Sequence, residues 1–65
     1  LADYYGTFSN GTLAKNFVVV EAKNYNDAIE KMDAEYGSGW HLMLFDRNEA
    51  LARGLEEVRF GTRNL

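Results

Sequence analysis

Sixty-five residues with a formal net charge of −3, no cysteine, no proline and one histidine make a single small domain, residues 1–65, that no disulfide can staple. The charge balance lacks the basic footprint of a nucleic-acid binder. A lone histidine without cysteine leaves no ligand set for structural zinc, and no cofactor is expected. Hydrophobic residues at 46% and aromatics at 14% supply a core and exclude disorder.

A chain of this size buries only about 60% of its unfolded surface. A partner subunit is therefore the remaining staple, and a homo-oligomer is expected. No apolar run approaches ~18 residues, so no membrane span is expected. The start, LADYYGTF, lacks the basic-then-apolar order of a signal peptide. The absence of cysteine fits a cytoplasmic location.

The stretch DYYGTFSNGTLAKNFVVVEA predicts a hairpin, with strands at Tyr4–Phe8 and Lys15–Ala22. Asn10-Gly11 suits a type I′ turn, which needs positive φ at both central residues. That turn sets Phe8 opposite Leu13 and Tyr4 opposite Phe17. Tyr4, Phe8, Leu13, Phe17 and Val19 then share one face, and Tyr5, Val18, Val20 and Ala22 the other.

NYNDAIEKMDAEYG predicts a helix capped by Asn24, with Asp27 three residues on. Tyr25, Ala28, Ile29, Met32 and Tyr36 form its apolar stripe, and Asn26, Asp27, Glu30, Lys31 and Asp33 lie opposite. Gly37 fits the left-handed position that ends a helix. WHLMLF predicts a third strand, apolar on both faces as a central strand would be. Asp46 and Glu49 cap a short second helix through Ala50, Leu51 and Ala52, which Gly54 can end. Val58 and Phe60 alternate with charged residues in the manner of an edge strand, and TRNL is a tail. The order β-β-α-β-α-β is an α+β domain: a small, mostly antiparallel sheet, one main helix on a face and a second short helix.

Few residues suggest chemistry. In GSGWH the glycines follow a helix, where the dipole is negative, whereas a phosphate cradle needs a helix N-terminus. His41 could serve as a general base, but no companion nucleophile, orienting carboxylate or metal spacing accompanies it. The carboxylates crowd one helix face rather than the two sides of a cleft. No catalytic, cofactor or metal residue is assigned. The aromatic sheet face and the acidic helix face form the expected partner surface, namely Tyr4, Phe8, Phe17, Val19, Asp27, Glu30 and Asp33. Stacking of nucleic-acid bases on the aromatics would need flanking cations, and only Lys15, Lys23 and Arg59 offer themselves.

The strand-to-capped-helix step FVVVEAKNYNDAIEKM, the glycine stop and the strand after it resemble small α+β proteins of bacteriophages and prophages. That resemblance implies an accessory protein that binds a host or phage protein and sometimes inhibits it. The expectation is a non-enzymatic protein-binding module. A self-assembling structural protein is the alternative, and a nucleic-acid module a more distant one, given the acidic charge.

Overall fold

The computed structural model describes residues 1–64. It contains β1 (Ala2–Phe8), β2 (Asn16–Ala22), α1 (Tyr25–Tyr36), β3 (Trp40–Met43), α2 (Arg47–Ala52) and β4 (Glu56–Val58). This is the expected order, β-β-α-β-α-β. The four strands form one mixed sheet in the order β3-β1-β2-β4. β1 runs antiparallel to both β2 and β3, and β2 runs parallel to β4. Of the expected TRNL tail, Leu65 lies outside the described residues.

The hairpin register differs from expectation. Tyr4 pairs with Val20, three residues beyond Phe17. Among the described residues no non-glycine has positive φ, so Asn10 cannot complete a type I′ turn, although Gly11 sits at φ 86°. The strands are instead joined by residues 9–15, folded through backbone bonds from Ala14 N–H to Gly11 O and from Asn16 N–H to Leu13 O. The longer loop lets Leu13 tuck inward, to 5% exposure. The gain from burying this leucine outweighs the preference of a two-residue sequence. An odd shift exchanges the faces of one strand relative to the other. Tyr4 and Phe8 therefore share a face with Val18 and Val20, and Phe17 and Val19 point to the opposite side.

The core lies between α1 and the sheet. Val18, Val20 and Ala22 of β2 meet Ala28 and Met32 of α1, and Tyr4, Phe8, Trp40, Leu42 and Val58 pack around them. Gly6 makes the closest approach. A Cβ there would lie 2.5 Å from Met32 Cε and 3.3 Å from Val18 Cγ2. A glycine inside a strand often marks such a contact.

α2 lies on the path from one edge strand to the other and packs beside β4. Glu57 lies beside Phe17 in the β2–β4 register. Both point away from Val18 and Val58 by strand alternation. Arg47 of α2 donates from Nε to Glu57 Oε1 at 2.7 Å, which ties the short helix to this side. Phe17 is fully buried there, with Tyr5 tilted against it at 6.4 Å between ring centroids.

Candidate functional site

The helix stop and the strand after it set up an exposed, uncharged stretch of surface. Asn24 Oδ1 accepts from Asp27 N–H at 2.8 Å and starts α1, and Asp27 Oδ2 returns the contact by accepting from Lys23 N–H at 2.9 Å. At the other end Gly37 takes φ 74° and ψ −92° and donates its N–H to Asp33 O. This is a positive-φ turn, but its ψ is outside the left-handed helical well expected from the sequence. The Trp40 indole Nε1 donates to Gly37 O at 2.9 Å, so the turn also fixes the first residue of β3.

β3 is an edge strand and not the central one expected. It pairs only with β1, setting His41 opposite Thr7 and Leu42 opposite Gly6. The backbone bond from Ser9 N–H to Gly39 O, 2.8 Å, fixes which groups of β3 face inward. Residues two apart repeat the pattern, so His41 and Met43 turn their N–H and C=O toward β1. The N–H and C=O of Trp40 and Leu42 consequently point outward along the open edge.

The side chains around this edge carry no formal charge from Ser38 to Phe45. Leu44 is 97% exposed and Tyr25 48%. They border a shallow depression of about 340 Å³ that also includes Tyr4, Tyr5, Met43 and Phe45, with Asp3 and Asp46 at its rim. Tyr4 and Tyr25 meet edge to face at 6.2 Å. The Phe45 ring lies under the Arg53 guanidinium at 4.0 Å, an arrangement favoured by the ring quadrupole. The other sheet edge differs: β4 reads Glu56-Glu57-Val58, followed by Arg59. Charges of this kind are how edge strands avoid pairing with other chains.

A second cleft, of about 310 Å³, lies at the C-terminal end of α1, where Phe8, Thr12, Glu35, Tyr36, Ser38 and Arg63 contribute to its walls. Its polar groups are largely engaged with one another. Gly61 N–H donates to the Tyr36 hydroxyl at 2.8 Å, Arg63 pairs with Glu35, and Thr12 Oγ1 donates to Arg63 O. Burial is the main cause that raises the Tyr36 hydroxyl above the usual tyrosine range. The hydrogen bond and charge of Glu35 raise the Arg63 guanidinium further. Among the described residues no buried side-chain nitrogen or oxygen lacks a partner, so nothing in this cleft waits for a ligand to satisfy it.

His41 Nε2 is 3.0 Å from Ser9 Oγ across the strand pair. A serine beside a histidine is two thirds of a nucleophilic triad. Both residues are exposed and neither lines the cleft or the apolar depression. Among the described residues the histidine has no carboxylate hydrogen-bonded to its other ring nitrogen. The pair is a surface hydrogen bond that holds the loop to β3. No cluster of three or more potential metal ligands occurs among the described residues, and no helix is long and apolar enough to cross a membrane.

The structure divides the surface expected from the sequence. Tyr4 and Phe8 pack against the α1 core, and Phe8 meets Tyr36 at 4.8 Å. Phe17 is buried on the opposite side, and Val19 is partly covered there. Asp27, Glu30 and Asp33 sit on the solvent side of α1, where Asp27 is already engaged by Lys23 N–H and by Lys31 at 3.6 Å. These seven residues form no continuous patch. Sequence reasoning missed Leu44 and the outward amides of Trp40 and Leu42. The signal available was the uncharged run from Ser38 to Phe45. No protein-family model, curated protein or solved structure matches the chain.

Proposed function

We propose that this chain is a non-enzymatic module that works by binding protein along the β3 edge. The observation that carries this reading is the unprotected strand edge beside a nearly fully exposed Leu44. Open amides and carbonyls offer main-chain hydrogen bonds to an added strand, and the neighbouring apolar side chains offer burial. The aromatics that could stack nucleic-acid bases are instead engaged in packing. The resemblance to phage accessory proteins adds the expectation that a bound partner is a host or phage polypeptide.

The test compares immobilised protein with its Leu44→Lys and His41→Gln variants for the polypeptides each retains, the wild-type chain itself included. The reading predicts retention that Leu44→Lys removes and His41→Gln preserves. Retention unaffected by Leu44→Lys contradicts it. So does an enzymatic activity that His41→Gln abolishes while the circular dichroism stays native.

A further inference from the structure

We infer that the polypeptide paired to the β3 edge is a second copy of this chain, joined antiparallel about a two-fold axis through Leu42. This rests on the β3 edge being the binding surface and names its occupant. A two-fold axis that relates antiparallel neighbours stands perpendicular to the sheet, and the interface is isologous. It places Leu42 opposite Leu42 of the second copy and Trp40 opposite Leu44. Directly opposed residues point to the same face of a sheet. Trp40 and Leu42 of both copies therefore gather on the side that carries α1, and Leu44, in the bend just past β3, comes across from the second copy's Trp40 with its exposed side chain free to meet the indole.

The backbone agrees with this register. The outward N–H and C=O groups of β3 belong to Trp40 and Leu42, and the axis sets Leu42 against Leu42 as a hydrogen-bonded pair. The product is one continuous sheet of eight strands, with β3 of each copy at its centre. Only the charged β4 edges remain open.

Charge selects the second copy over a foreign segment of opposite charge. Each chain carries −3 overall, but residues 38–45 contribute none of it. The axis sets Asp46 across from neutral Ser38 of the second copy, so no like charges meet. The same operation at β4 would bring Glu57 against Glu57, which repels. A basic partner would favour the carboxylates of α1 and not this neutral edge. The domain also lacks any disulfide, and a second subunit supplies the burial that a small core lacks.

The test uses the absence of cysteine. Leu42→Cys places two thiols in a hydrogen-bonded pair with Cα atoms about 5.5 Å apart, within the span of a disulfide. Mild oxidation is expected to give a covalent dimer. His41→Cys leaves its two thiols offset along the strands by about 7–8 Å between backbones, and Glu57→Cys puts them on the far edges, so neither should form the covalent dimer. Because Leu42→Cys thins the core, sedimentation of the wild type and of Leu44→Lys is run beside it. Leu44 is free of the core, so this variant keeps its fold, and its dimer dissociation constant is expected to rise about tenfold or more, an effect of the size of one interface anchor.

A wild type that remains monomeric at hundreds of micromolar overturns self-pairing, as does a dimer insensitive to Leu44→Lys. A monomer that still retains a foreign polypeptide in a Leu44-dependent way overturns self-pairing alone and leaves the protein-binding reading standing. Loss of neither kind of binding in Leu44→Lys overturns both.

Discussion

Gly6 and Met32 share one space at the centre of the α1 interface, so a Cβ at Gly6 requires the Met32 terminus to shift. Gly6→Ala drives a methyl into the terminus of the fully buried Met32, which must move to admit it. Overpacking of this kind costs about 1–3 kcal/mol. In the Gly6→Ala/Met32→Leu pair the shorter side chain should recover part of that loss, which a double-mutant cycle in urea measures. Gly37 has open space around its missing Cβ, so any cost of Gly37→Ala is conformational. The expected loss is about 1 kcal/mol or more, read as a shift in denaturant midpoint. Asp27 carries a pH signature. Its carboxyl is held below the ordinary aspartate value of 3.8, first by the hydrogen bond from Lys23 N–H. A depressed carboxyl stabilises the fold above its unfolded pKa, and that contribution is lost as pH falls through the lower folded value. Melting curves between about pH 5 and pH 2 should show this slope in the wild type, and Asp27→Asn should flatten it. The caps at Asn24 and Asp46 and the glycine stop were legible in the sequence because each depends on neighbours within a few residues. The Gly6–Met32 contact was not, since it joins a strand to a helix across the core.

At the scale of elements, all six were visible in the pattern of apolar residues, and their order held. What failed was spatial neighbourhood. Asn10-Gly11 suggested the shortest turn, whereas the chain spends five more residues to bury Leu13 and shifts the register by an odd number. That single shift dispersed the aromatic face expected at Tyr4, Phe8, Phe17 and Val19. WHLMLF looked central because both faces are apolar, yet β3 ends the sheet with α1 packed on one side. No local signal in β2 or β4 announces that they pair in parallel across 40 residues. The corrected faces predict opposite outcomes for two apolar residues. Phe17→Ala should cost about 3 kcal/mol or more, the price of emptying a closed site. Leu44→Lys should leave the denaturant midpoint of the monomer within about 0.5 kcal/mol, as surface changes do. Comparable losses from both would contradict the assignment of buried and open surfaces.

Across the whole molecule the two edges of the sheet carry opposite instructions. β4 is guarded by Glu56, Glu57 and Arg59, and β3 is neutral from Ser38 to Phe45. Tyr4, Phe8 and Phe17 are engaged in packing, and the proposed partner surface is the β3 edge with Leu44 beside it. Melting temperature should therefore rise with protein concentration, because association at that edge draws the folded chain forward by mass action. The most direct measurement is amide hydrogen exchange of Trp40, His41 and Leu42 at increasing protein concentration. The His41 amide is turned toward β1 within the monomer, whereas those of Trp40 and Leu42 face the open edge. Under self-pairing at β3, protection of Trp40 and Leu42 rises with concentration in the wild type and does not rise in Leu44→Lys. Protection of Trp40 and Leu42 that stays constant at every concentration would contradict it.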